Sequence, residues 1–371
     1  MSLAISGTIK DNQSGILRPR KTATPLIING DMQIAQRGTS LSSQSASTRL
    51  LDRFANDIGG GGAITISQDT DTPNSTFPNS MKMVVATADS SIASSDAYRF
   101  TYSVEGKDIA TVGLGNSDCQ TMTLTFWVRS SVTGTYGIGF ANSAETENYV
   151  DEYAISSANT WEKKVINIPV RTSGTWLTTN GVGLGIRWDL GSGTNNNGTA
   201  DQWQTTSGKV YRTSSCVNWI ATASATFYVT GVQLEIGTFD TNSLPDFQHE
   251  DAGTSLARCR RYFHIGVSND DGSGHANGSF RTNNQAQVLH RFPVAMRSAP
   301  TITQIATDNM LVHDTADGNN INVDSVNSVL NNGTCSAIVN WNLEGTSGVA
   351  GDGVWMYGTG STPGVTFNSE L

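Results

Sequence analysis

The chain has 371 residues, enough for two or three domains with sizeable buried cores. Only 15% of them are charged, and the rest of the polarity comes from Gly, Ser, Thr and Asn, a mixture that favours strands and turns over helices. A formal charge of −9 argues against a nucleic-acid partner, and no apolar run approaches the ~20 residues needed to insert in a membrane.

Met1-Ser-Leu-Ala-Ile-Ser-Gly7 lacks a basic region followed by a sustained apolar run, so no signal peptide is expected and assembly in the cytoplasm is. Residues 1–25 show no periodicity and read as an extended arm, whose basic Arg18, Arg20 and Lys21 suit docking on an acidic neighbour. Asn29-Gly30-Asp31 is a strong turn signal. Strand-like alternation then recurs: Tyr98, Phe100, Tyr102 and Val104 share one face, as do Met122, Leu124, Phe126 and Val128. Ile166, Ile168 and Val170 follow, then Val182, Leu184, Ile186, Trp188 and Leu190. Gly137 with Gly139, and Gly183 with Gly185, leave bare patches that fit either a tight contact within the fold or a flat groove for a ligand or neighbouring subunit.

Phe227–Gly237 reads as a strand with Tyr228, Thr230, Val232, Leu234 and Ile236 on one face. The best helical candidate is Ser255–Phe263, with Leu256, Cys259, Tyr262 and Phe263 along one side, Thr254 or Ser255 as cap and Asp251 near its positive end. A polar loop over 268–278 leads to weaker β patterning through 279–371. The expectation is an all-β protein: an extended arm over 1–25, a jelly-roll β-sandwich over 26–250, a short helix and linker over 251–278, and a second, smaller β-sandwich over 279–371.

No catalytic signature stands out, and the chain is not read as an enzyme. The four cysteines are scattered with no C-x-x-C pair, and the five histidines form no metal-binding spacing. They read as reduced, mostly buried thiols and as surface or interface histidines, with neither metal nor other cofactor. Glu145, Glu147, Asp151 and Glu152 read as a solvated acidic loop or strand margin, although a depolymerase would need two such acids across a cleft. Trp127, Trp176 and Trp203 are candidate platforms for sugar rings, with Asp201, Gln202 and Gln204 beside Trp203 to read hydroxyls; the alternative is that these rings cover loop bases. Trp161 and Trp188 read as core or rim.

Asn29-Gly-Asp-Met-Gln-Ile-Ala-Gln-Arg-Gly-Thr39 and Leu51-Asp-Arg-Phe54 resemble the opening of a family of phage tail-fibre and related virion proteins. Phe126–Thr135, Ala158–Lys164, Thr172–Trp176, Phe227–Gly237, Arg258–Tyr262 and Phe367–Leu371 continue the resemblance, which covers nearly everything from Pro25 onward. It implies a tail fibre or receptor-binding adhesin in the virion, forming a homotrimer. The arm would bind other tail proteins, and host surface polysaccharide would be the receptor. A capsid or tail accessory protein, a polysaccharide depolymerase and a carbohydrate-binding protein outside any virion are the alternatives. The first domain is also similar to carbohydrate-binding jelly rolls, which commonly hold a structural calcium on acids near these two motifs. Gln33 and Thr230 stand where those acids are expected, which argues against that ion here.

Overall fold

The architecture comes from a computed structural model that describes residues 24–267, 274–304, 310–346, 348–358 and 364–371. Most of the arm, with Arg18, Arg20 and Lys21, therefore lies outside the described residues, as does much of the 268–278 loop.

The first unit is a sandwich of two six-stranded antiparallel sheets. One runs, in spatial order, Ser40–Gln44, Ala63–Asp69, Ser80–Thr87, Thr226–Ile236, Met122–Ser130 and Glu162–Ile168. The facing sheet runs Gln202–Thr205, Glu147–Ile155, Gly134–Ala141, Val182–Asp189, Ala97–Glu105 and Phe54–Gly59. Alternation sends Tyr98, Phe100, Tyr102, Leu124, Phe126, Ile138, Ile186 and Trp188 inward, where all are buried in one core. Trp188 stacks on Phe100 with ring centroids 4.6 Å apart. Val170, read as inward, is 44% exposed, because its strand ends at Ile168.

The Thr226–Ile236 strand keeps its place but not a single parity. Phe227 and Val229 face the core, and so do Val232 and Leu234, because the register shifts between Thr230 and Gln233. Gly231 sits in that shift at φ +61, a backbone geometry that glycine adopts without strain. The Asn29-Gly30-Asp31 turn locks onto the bulge. Gly30 O accepts from Val232 N at 2.9 Å, and a Cβ on Gly30 would stand 2.1 Å from Val232 O.

The helix forms over Ala252–Arg260, capped by Asp251, which accepts from Thr254 N at 3.0 Å. Neither Thr254 nor Ser255 is the cap; the carboxylate one step earlier serves the exposed amide better. Cys259, Tyr262 and Phe263 are buried as their spacing predicts.

Beyond the helix, the smaller unit is β but not a second sandwich. Six strands close into a barrel: Gly274–Thr282, Gln285–Arg291, Ser336–Leu343, Asn320–Asn332, Met310–Asp314 and Gly353–Gly358. A three-stranded sheet of Phe263–Val267, Val365–Asn368 and Thr301–Gln304 lies beside it. Repeated bulges along the Asn320–Asn332 strand supply the curvature that closure requires.

Arginine contacts join the units. Glu370, buried, receives Arg53 Nη1 at 2.6 Å, Arg37 Nη2 at 3.3 Å and Arg49 Nη1 at 3.7 Å. Burial alone would raise its carboxyl, but Arg53, Arg49 and Arg37 hold it below the ordinary value. Arg261 and the Tyr262 hydroxyl both donate to Glu105, and Arg297 donates to Asn180 O and Ser369 O. Removing one member of a buried ion cluster typically costs about 3–5 kcal/mol. Glu370→Gln is expected to lower the stability by that order in chemical denaturation; an unchanged midpoint would show that the cluster does not hold the units together.

Two of the histidines, His264 and His290, depart from a surface reading, whereas His249 is exposed as expected. His290 is 2% exposed, and its Nε2 accepts from Trp341 Nε1 at 3.2 Å. Burial pushes His290 down to about 3 and His264 down to about 4. Both must therefore stay neutral in the fold but protonate in the unfolded chain near pH 6.5, so their stabilisation is present above that pH and is lost on acidification. In the sandwich, burial pushes Asp52 and Asp189 up to about 6, which has the opposite sign between pH 6 and 4. Lowering the pH from 7.5 to 5 is expected to weaken the barrel by about 2 kcal/mol through His290 alone, while the sandwich gains. Hydrogen exchange corrected for intrinsic rates should show Gln285–Arg291 and Ser336–Leu343 losing protection first, and His290→Gln should blunt that loss.

Candidate functional site

Odd-numbered residues of Ala97–Glu105 and Val182–Asp189 point away from the core. Cross-strand pairing lines them up: Asp57 lies opposite Arg99, Ala55 opposite Thr101, Thr101 opposite Arg187, and Ser103 opposite Gly185. The result is a polar concavity of about 180 Å³ on the open face of the second sheet. Glu145 and Lys209 wall one side, Arg49 and Leu371 the other. A smaller cavity between the Asn29–Asp31 turn and Phe247 is about 10 Å³ and holds no more than a water.

Ion pairs fix the charged groups in place. Arg99 Nε donates to Asp57 Oδ2 at 2.8 Å, and its guanidinium carbon lies 4.8 Å from the Tyr211 ring centroid. Arg187 Nη2 donates to Glu145 Oε1 at 2.7 Å, and Lys209 Nζ reaches the same oxygen at 3.3 Å. Arg49 Nη2 donates to Leu371 O at 2.6 Å. Asp57 and Glu145 are thus both engaged by guanidinium groups, whereas glycoside cleavage needs an acid pair facing each other across open space. Among the described residues no group of three or more His, Cys, Asp or Glu side chains is placed to hold a metal ion.

The bare glycine patches divide. At Gly137 and Gly139 an added Cβ would stand 2.6 and 2.4 Å from Tyr211 atoms, so the chain's own 210–212 segment fills that space. Gly183 is covered in the same way by Ile109 and Gly106. At Gly185 the nearest atom to a Cβ would be Arg187 Nη2 at 3.4 Å, and this glycine opens onto the concavity.

The tryptophans lie elsewhere. Trp176 and Trp203 come together with centroids 5.6 Å apart at 87°. Their indole N–H groups donate to Ser173 O and Pro169 O, and both rings pack partly buried against the sandwich core. Perpendicular rings with their N–H groups spent on backbone do not form one flat sugar platform. Gln204 closes its own loop, accepting from Thr199 N at 3.0 Å and donating to Thr199 O at 2.8 Å. Asp201 is exposed at a turn with φ +61, and Gln202 is exposed beside it. Trp127 is on the other sheet, opposite Thr230 and Lys163.

The acidic cluster is not a solvated loop: from Glu147 to Glu152 it lies on the Glu147–Ile155 strand near the sheet margin, and its glutamates have partners. Glu145 holds Arg187, Glu147 holds Arg171, and Glu152 accepts from Thr213 and Ser215. Burial pushes Asp151 up to about 6, and its hydrogen bond to Asp201 adds to that. At the expected calcium position, Gln68 Nε2 donates to Met32 O at 2.7 Å and to Gln33 O at 3.0 Å, and Thr230 Oγ1 donates to Asn79 O at 2.7 Å. A side-chain amide occupies those carbonyls, and the residue types present do not fit a hard cation.

By sequence, the chain matches no known protein family and no curated protein. Solved structures similar to it include the enzymatically active domain of tailspike protein 4 from bacteriophage CBA120, at 12% identity and TM-score 0.29 over 57% of this chain and 21% of that one. The chain thus spans about a fifth of that domain's length. A family 11 carbohydrate-binding module from Clostridium thermocellum, solved with a mixed-linked tetrasaccharide, shows 12% identity and TM-score 0.28 over 54% of this chain and 96% of the module. A putative sugar-binding protein from Bacteroides thetaiotaomicron shows 13% identity and TM-score 0.32 over 57% of this chain and all of that one.

Proposed function

We propose that the chain is a phage virion protein, a tail fibre or receptor-binding adhesin that holds host-surface glycans without cleaving them. The observation that carries this reading is the polar concavity on the open sheet face, where Thr101 and Ser103 hydroxyls stand among charged groups fixed by ion pairs. Such a surface offers several directional hydrogen bonds to a sugar and no opposed pair of free acids. The sequence resemblance from Asn29 to Leu371 supplies the virion setting. A homotrimer would repeat a weak site three times, and repetition raises overall binding by ~10²–10⁴ without any single tight contact.

Purified protein incubated with host surface polysaccharide is expected to bind it and to release no reducing ends; steady release would replace this reading with a depolymerase. Thr101→Tyr, which fills the concavity from its floor, is expected to abolish binding and leave the unfolding midpoint within about 0.5 kcal/mol of the parent. Solution mass is expected to be that of a trimer.

The basic arm would then be the attachment to the particle. Deleting the residues before Pro25 is expected to leave sandwich and barrel folded, with unchanged circular dichroism, while virions assemble without the protein. Normal incorporation of the truncated chain would remove the anchoring role.

A further inference from the structure

We infer that the concavity takes an acidic saccharide, with the sugar's anionic group met by Arg99, Arg187 and Lys209; this rests on the glycan-adhesion reading. The chain as a whole is acidic, at −9, yet four cationic side chains line this hollow against the carboxylates of Asp57 and Glu145. Those carboxylates are already shared out. A single Glu145 oxygen holds both Arg187 and Lys209, and one Asp57 oxygen holds Arg99. The remaining cation, Arg49, donates to Leu371 O and leans on Glu370, which also serves Arg37 and Arg53.

Both floor arginines are more than nine-tenths buried, Arg99 at 6% exposure and Arg187 at 8%. The Nη1 of each is nevertheless buried without any hydrogen-bond partner. An unmet donor on a buried guanidinium is unfavourable, and a second cation beside it makes it more so. Burial, and then the neighbouring Arg99, pull Arg187 below its ordinary value even with Glu145 pulling the other way. A planar carboxylate or a sulfate ester relieves both deficits together, since it brings negative charge and several acceptor oxygens in the geometry that guanidinium groups pair with. Gly185 keeps the space beside Arg187 Nη2 open for it. The hollow is smaller than the roughly 300–1,000 Å³ of clefts that engulf whole ligands, which suits one charged unit of a longer chain.

The test is a panel of acidic oligosaccharides (uronate-, sialate- and sulfate-bearing) and neutral ones, followed by titration calorimetry of the best binder, its carboxyl-reduced or desulfated counterpart, and sodium sulfate alone. The acidic form is expected to bind at least tenfold more tightly than its neutralised counterpart, to weaken as salt rises, and to outcompete free sulfate. Lys209→Gln, at a half-exposed position, should cost severalfold in affinity with an unchanged unfolding midpoint. Arg187→Gln should cost more, its folding verified by the same melt. Equal or preferential binding of neutral sugars would overturn the acidic assignment and leave the adhesin reading standing. Undiminished acidic-sugar binding by both variants would also overturn it. Binding of sulfate with no saccharide, or no binding at all, would overturn both.

Discussion

One carboxylate does most to make this chain a single object. Glu370 lies buried among Arg37, Arg49 and Arg53, three guanidinium groups contributed by the sandwich, while the acid comes from the far end of the chain. None of the four is comfortable alone. Arg53 is 1% exposed, sits at φ +74 and lies 3.5 Å from the centroid of Tyr262. Its second nitrogen donates to Ser103 O at 2.6 Å. That arrangement persists only because burial makes each unpaired alternative more costly than the strained geometry. The helix and the barrel's companion sheet are thereby pinned against the sandwich, with Arg261–Glu105 and Arg297–Asn180 as secondary ties.

The same cluster reaches the candidate site. Arg49 belongs to both, bonding Leu371 O and Glu370 while it walls the hollow. The hollow's far wall depends on the 209–212 segment, which lies over Gly137 and Gly139 and carries Lys209 and Tyr211. Its floor is ordinary sheet, so Arg99 and Arg187 hang from rigid backbone and not from loops. Positions set in this way are well suited to recognition by fixed geometry.

Alternation made the sandwich legible. Tyr98, Phe100, Tyr102 and Val104 announce their inward face without help, and so do Met122 through Val128. The parity of Thr226–Ile236 was hidden, because one glycine in a bulge reverses it and glycine carries no hydrophobic label. Barrel closure was hidden too, since curvature comes from register shifts that leave composition unchanged. The tryptophans drew attention as sugar platforms, but their N–H groups and edges serve the fold. The concavity combines Asp57, Arg99, Gly185, Arg187 and Lys209 from well-separated stretches; Gly185 was readable as part of a bare patch, whereas each charged residue reads alone as a solvated position. A second signal was available: Arg99 and Arg187 each stand on a strand face beside small residues, Thr101 and Ser103 in one strand and Gly185 in the other.

Closure of the barrel limits what its surface can offer to another molecule. An open sheet ends in a row of unpaired N–H and C=O groups that invites strand addition, whereas a ring of strands offers none. The barrel wall therefore presents side chains and not free backbone, among them Trp355 and Leu330, which stand 49% and 51% exposed. Contacts through side chains can be formed and released without breaking a backbone ladder, and they leave the barrel safe from runaway fibre growth.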